Sequence, residues 1–223
     1  QDVPVINILV PLMADMNRTF KLTNRKQFKT ILYFPVDFPL VYTFVKDLEF
    51  FDAIVTYNEY GREQILKFKP ELRGKIKVIP HGTNTKDFYP VEDREKVARF
   101  REEYFDENAS KFIITNVNRN QPRKDIPCTI LGFQEYKKQY NKDAFLYLHM
   151  NPKDPLGYDL RAVLMQTDLQ EGIDFMFPPR QKENHGFNID ELNMVYNASD
   201  VFLTTTLGEG WSLTVTEAMA AKL

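Results

Sequence analysis

The sequence predicts an α/β protein built as two Rossmann-like units with parallel sheets, and three observations carry that expectation. Short apolar runs alternate with segments of helical spacing along the chain, and such alternation folds as parallel strands joined by crossover helices. A polar and then strongly charged passage, residues 83–104, interrupts the alternation and separates two series. The 223 residues suffice for two compact domains.

In the first series, Lys29-Thr30-Ile31-Leu32-Tyr33-Phe34 reads as a strand. Leu40, Phe44, Leu48 and Phe51 fall near one face of a helix over 40–50, and Asp52-Ala53-Ile54-Val55-Thr56 reads as the next strand. Asn58 is placed to cap a helix running to Phe68, and Lys75-Ile76-Lys77-Val78-Ile79 closes a β-α-β-α-β series. Residues 5–12 have helical character. The second series is predicted as strand 112–115, helix 126–140, strand 144–149, helix 160–170, strand 173–177, helix 190–198, strand 201–205 and a final helix from Leu213. The expected organisation is an N-terminal domain over 1–90, a linker with a charged helix over 91–110, and a C-terminal domain over 111–223. Both domains are expected to be partial: the chain begins without Met or a signal peptide and ends inside an apolar helix.

Composition excludes several classes. At 43% hydrophobic and 27% charged residues the chain is globular rather than disordered, and its formal charge of -2 lacks the clustered positive face that nucleic acid requires. A single Cys128 excludes an intrachain disulfide and any cysteine-rich zinc site. The longest apolar candidate, residues 31–44, is interrupted by Pro35, Asp37 and Pro39, so no membrane span is predicted. His81, His149 and His185 lack the spacing of a metal cluster. His81 precedes Gly82 at a strand end, where close backbone approach would favour glycine. The basic group Lys21, Arg25, Lys26 and Lys29 has no acidic neighbour in sequence. It reads either as a solvated loop or as a contact with an anionic membrane surface. The expected location is the cytoplasm or the membrane surface.

The chemistry concentrates near the C-terminus. The run Val201-Phe202-Leu203-Thr204-Thr205 leads into Gly208-Glu209-Gly210-Trp211-Ser212-Leu213 and then an alanine-rich segment carrying Glu217. A strand, turn and helix in this order present backbone N–H groups and the positive end of a helix dipole, which suit a diphosphate. Two carboxylates beside that cradle suit sugar hydroxyls, so the stretch fits a nucleotide-sugar. Trp211 is expected to pack at the turn. Arg119 and Lys124 lie directly after the first strand of the second series, where open α/β sheets place ligands. There they would neutralise a leaving diphosphate without a metal. For each group the plainer alternative is a solvated surface charge.

These residues resemble the retaining glycosyltransferases of family 4. The resemblance rests on the Glu-Gly-aromatic-x-Leu segment with a second Glu eight residues on, followed by Ala218-Met219-Ala220. It extends to Leu192-x-x-x-Tyr196-Asn197-Ala198-Ser199-Asp200-Val201-Phe202, to Arg119 and Lys124, and to Val78-Ile79-Pro80-His81-Gly82-Thr83-Asn84 with Phe88 and Pro90. The resemblance implies a GT-B architecture, two Rossmann-like domains facing a cleft. Arg119 and Lys124 would then bind the donor diphosphate, Glu209 the donor sugar hydroxyls and Glu217 the nucleotide ribose. Gly210 and the amides near Ser212 and Leu213 would hold the phosphate or sugar. It implies a retaining hexosyl transfer with no metal or other cofactor. The donor would be an NDP-sugar, GDP-mannose first and UDP-sugars next, and the acceptor a glycan, a lipid or another hydroxyl. Where the family often has a histidine, this chain has Phe34-Pro35-Val36-Asp37, and Asp37 is a candidate to polarise the acceptor or donor sugar. Two other readings remain: a non-catalytic nucleotide-sugar-binding homologue, and a different GT-B enzyme such as a sugar-nucleotide epimerase or a phosphorylase.

Overall fold

The computed structural model describes residues 15, 18–19, 29–179 and 186–223. The expected helix over 5–12, the basic residues Lys21, Arg25 and Lys26, and His185 lie outside them. The chain divides into two compact units, Gln1–His81 with Gly208–Trp211, and Gly82–Leu207 with Ser212–Leu223.

The first unit contains β1 (Ile31–Phe34), α1 (Tyr42–Val45), β2 (Ala53–Thr56), α2 (Glu59–Leu66) and β3 (Ile76–Val78). The strands form a parallel sheet in the order β1-β2-β3, with Ile31 opposite Ala53 and Ile54 opposite Ile76. Its core gathers Leu32, Phe34, Val45, Leu48, Ile54, Ile65 and Ile76. Asn58 caps α2 as expected, its side chain accepting from Gly61 N at 2.9 Å.

The helix expected over 40–50 shrinks to the four residues of α1, followed by a 3-10 turn at Leu48–Phe50. Tyr-Thr-Phe-Val is β-branched and aromatic, and no side chain caps its start, so local propensity supplies little. Val45, not Phe44, then faces the core. Lys29 is not without an acidic neighbour: its Nζ lies 3.6 Å from Asp52, a carboxylate that also accepts from the backbone and hydroxyl of Thr30.

The second unit contains α3 (Arg94–Phe105), β4 (Phe112–Val117), α4 (Ile126–Gln139), β5 (Ala144–His149), α5 (Leu160–Leu164), β6 (Phe175–Met176), α6 (Ile189–Asn197), β7 (Val201–Phe202) and α7 (Leu213–Ala220). Its parallel sheet has the order β6-β5-β4-β7. Strand alternation sends side chains to opposite faces. Ile114, Leu146 and Leu148 pack with Ile126, Ile130 and Leu160 on one face, whereas Ile113, Phe145 and Tyr147 pack with Val97, Phe105 and Val195 on the other. A sheet covered on both faces explains the near-continuous apolar runs of β4 and β5.

Arg101 of α3 ties the strand starts together. Its guanidinium donates to Ala109 O, Lys111 O and Ala198 O and pairs with Asp200 at 2.8 Å, and Asp200 in turn accepts from Ile113 N. The helix expected over 160–170 ends at Leu164 because the Thr167 hydroxyl donates to Leu164 O and the backbone tightens to i→i−3 bonds. Strand 201–205 is regular only over Val201–Phe202, with one further backbone bond from Leu203 N to Thr115 O.

Candidate nucleotide-sugar site

In the second unit β5 lies on one side of β4 and β7 on the other. The chain direction across the sheet therefore reverses between β4 and β7, and open α/β sheets bind ligands outside the carboxyl ends at such a reversal. The loops leaving these two strands are bonded to each other. Leu207 N and the Thr206 hydroxyl donate to Arg123 O, and the Thr205 hydroxyl donates to Asp125 O at 2.8 Å. Beneath them a buried polar ladder runs from Asn118 Nδ2 to Asn116 Oδ1, from Asn116 Nδ2 to the Thr129 hydroxyl, and on to Thr205. Asn118 Oδ1 is buried with no hydrogen-bond partner. A group orphaned in this way costs about 1–3 kcal/mol unless a water or ligand supplies its partner.

Lys124 closes a 3-10 turn, Pro122–Lys124, that ends on Asp125 with a left-handed φ of 46°. Arg119 is exposed, and its Nε donates to Asp154 Oδ2 at 2.7 Å. That hydrogen bond raises the Arg119 pKa and, with the Leu156 N–H, lowers that of Asp154. The structure thus brings both sequence-predicted cations to the loop after β4.

Helix α7 begins at Leu213 with Ser212 as N-cap, and the Ser212 side chain makes no capping bond. The first-turn N–H groups of a helix have no intrahelical acceptor, so this terminus can receive an anion. Thr216 turns its hydroxyl back to Ser212 O and Leu213 O and is hydrogen-bonded to Thr83. Thr214 Oγ1 is buried without a partner. One turn on, Glu217 accepts from the Tyr196 hydroxyl at 2.9 Å. Burial raises the Glu217 pKa, with the Tyr196 hydrogen bond opposing, and the same contact together with burial raises the Tyr196 phenol. The sequence showed Tyr196 only as part of the stretch 192–202; its hydroxyl, 21 residues from Glu217, is paired by the fold. Asn118 and Asp154 were missed too, although Asn118 abuts Arg119 in sequence.

Glu209 and Gly210 belong to the first unit with Asp37. A Cβ added at Gly210 would overlap Pro35 Cβ and stand 2.9 Å from Pro35 Cα, and one at Gly208 would stand 2.5 Å from Asp37 O. Glycine is therefore required on both sides of Glu209 by backbone contact with the segment leaving β1. Asn58, beyond capping α2, donates from Nδ2 to Gly210 O at 3.1 Å. Trp211 is half-buried at the turn, with Nε1 buried and unpartnered. His81 stacks on Tyr57 and hydrogen-bonds the Tyr33 hydroxyl. The expected crowding at Gly82 is absent: a Cβ there would meet nothing within 4 Å. No group of His, Cys, Asp and Glu that could hold a metal occurs among the described residues, and no described helix is long and apolar enough to cross a membrane.

No family model matches the chain. A probable sucrose-phosphate synthase of Thermosipho melanesiensis is 30% identical over 170 residues, 74% of this chain. The alpha-monoglucosyldiacylglycerol synthase of Acholeplasma laidlawii is 26% identical over 151 residues, 67% of this chain. The chain spans 35% of the length of each. Among solved structures, a sucrose-phosphate synthase from Thermosynechococcus elongatus superposes with a TM-score of 0.67 at 19% identity, covering 91% of this chain and 51% of that one. Anabaena HepE in complex with UDP superposes at 0.69 with 13% identity, covering 94% and 55%.

The fold is thus that of the GT-B glycosyltransferases. Within that class, the relatives and the motifs are consistent with a glycosyltransferase of the family 4 type.

Proposed function

We propose that the full-length protein is a retaining, metal-independent glycosyltransferase that moves a hexose from an NDP-sugar to a hydroxyl acceptor. The observation that carries this reading is the convergence in the second unit, around one topological reversal, of the Arg119–Lys124 loop, the uncapped start of α7 and the Tyr196-supported Glu217. Lys124, Arg119 and the α7 terminus take up diphosphate charge, a role otherwise given to a divalent ion. Glu217 accepts from ribose hydroxyls, and Glu209 from hydroxyls of the transferred sugar. Asp37 is assigned to orient the acceptor or donor sugar.

In the reaction the bond between the sugar C1 and the diphosphate oxygen breaks, and its electron pair leaves with the diphosphate. The acceptor oxygen bonds C1 on the same face and gives its proton to the departing phosphate oxygen. For the donor, the monoglucosyl product in the name of one relative favours glucose over mannose, and the structural neighbours include complexes with UDP and with UDP-glucose. A UDP-hexose is therefore our first assignment, ahead of GDP-mannose. The acceptor is assigned only as a hydroxyl on a sugar, sugar phosphate or lipid-linked glycan.

The test supplies UDP-glucose, other UDP-hexoses and GDP-mannose to the full-length protein with a panel of acceptors, and follows nucleoside diphosphate release and product configuration. Transfer with retention, nearly abolished in Glu209→Ala, is expected. Normal turnover by that variant overturns the site. Donor binding without transfer or hydrolysis for every donor favours a non-catalytic homologue.

A further inference from the structure

Arg119 and Asn120 are neighbours in sequence and both grip the loop that follows β5. Asn120 is 1% exposed. Its Nδ2 donates to Tyr158 O at 2.6 Å, and its Oδ1 accepts from Tyr158 N at 3.1 Å. Gly157 lies so close that an added Cβ would overlap the backbone oxygen of Asn120. The loop over 150–159 is thereby fixed to the loop over 118–124 by a buried amide and a close backbone contact.

On that fixed loop sits Asp154. Its Oδ1 accepts from Leu156 N at 2.9 Å, and its side chain is only 10% exposed whereas that of Arg119 is 58% exposed. The guanidinium meets it side-on, Nε to Oδ2 at 2.7 Å and Nη2 to Oδ1 at 3.4 Å. A guanidinium has five N–H donors; this arrangement uses two and leaves the Nη1 pair and one Nη2 donor directed away from the carboxylate. An exposed ion pair between two swinging side chains orders neither of them. Here one partner is built into the fold, so it restricts the rotamers of the other, and preorganisation of this kind lowers the cost of binding.

We infer that Asp154 is a positioning residue for Arg119, holding its guanidinium ready for the donor diphosphate. The inference rests on the diphosphate role proposed for Arg119. It has a consequence that a merely structural role lacks: removing Arg119 alone leaves the Asp154 anion beside the diphosphate, so Arg119→Ala is more harmful than removing both charges together.

The experiment measures UDP affinity by titration calorimetry, and KM and kcat for the best donor, on full-length wild type, Asp154→Asn, Arg119→Ala and the double variant. Asp154→Asn is expected to weaken UDP binding and raise donor KM about tenfold, with kcat changed less than threefold. Arg119→Ala is expected to lose more, and the double variant to bind UDP better than Arg119→Ala. Should Asp154→Asn fail to fold, Asp154→Ser retains an acceptor for Leu156 N without the charge and reports the same quantities. Unchanged or tighter UDP binding by the uncharged Asp154 variant, with binding lost in Arg119→Ala, overturns the inference and leaves the donor site standing. Unchanged UDP binding in Arg119→Ala overturns the donor site itself.

Discussion

Replacing Gly210 with alanine adds one methyl at the place where the motif loop rests on the segment leaving β1. That methyl would overlap Pro35 Cβ and stand 2.9 Å from Pro35 Cα and 3.1 Å from Val36 N. Carbon atoms make favourable contact only at about 3.5–4.0 Å, so the loop must retreat by roughly 1 Å. Pro35 is a ring and Val36 N is backbone, and neither yields as the tip of a long side chain does. The retreat also strains the Asn58 bond to Gly210 O. Overpacking of this type costs about 1–3 kcal/mol, and misplacing a reacting group by about 1 Å costs on the order of 10²-fold in rate. Gly210→Ala is therefore expected to lower kcat/KM about a hundredfold because Glu209 is carried along, while its urea midpoint shifts by the smaller stability cost. Gly132→Ala is the control. It lies in α4 with nothing within 4 Å of the added methyl and should gain about 0.5–1 kcal/mol with unchanged activity. Wild-type kcat/KM in Gly210→Ala would refute the argument that this contact sets the Glu209 position.

Two further outcomes follow from the second unit. Burial holds Glu217 above its ordinary pKa, so its ionisation is disfavoured in the fold, and the wild type loses stability as pH rises through that value. Glu217→Gln lacks this dependence. Its Tm should gain on wild type from acid to neutral pH while its UDP affinity falls, and identical Tm profiles in a pH series would contradict the assignment. Arg101 makes hydrogen bonds to three carbonyls and to Asp200, so Arg101→Ala is expected to destabilise by about 2–4 kcal/mol. Its urea midpoint should fall at constant m-value.

The sequence made the strand and helix alternation legible because each element carries its own period, and Asn58, an N-cap at the expected place, shows how local that information is. It also nominated Arg119, Lys124, Glu209 and Glu217 as site residues, because their spacing within short segments resembles a family signature. Pairings across the chain were hidden: Asn58 with Gly210, Arg119 with Asp154, Tyr196 with Glu217. None has a periodicity, and each depends on how loops from different strands meet. Element lengths were misjudged where a side chain competed with the backbone, as at Thr167, or where the core chose Val45 over Phe44. A close contact was expected at Gly82, which has no neighbour to make one, whereas Gly210 makes one with Pro35 that only the fold reveals.

The central claim is that a diphosphate is held in the second unit by Arg119, Lys124 and the start of α7, with no metal taking part. Calorimetric titration of UDP into the full-length protein in excess EDTA, for wild type and Lys124→Ala, tests it most directly. The account predicts that wild type binds equally well with and without EDTA and that Lys124→Ala binds at least tenfold more weakly, about 1.4 kcal/mol or more. Loss of wild-type binding in EDTA, or undiminished binding by Lys124→Ala, would contradict it.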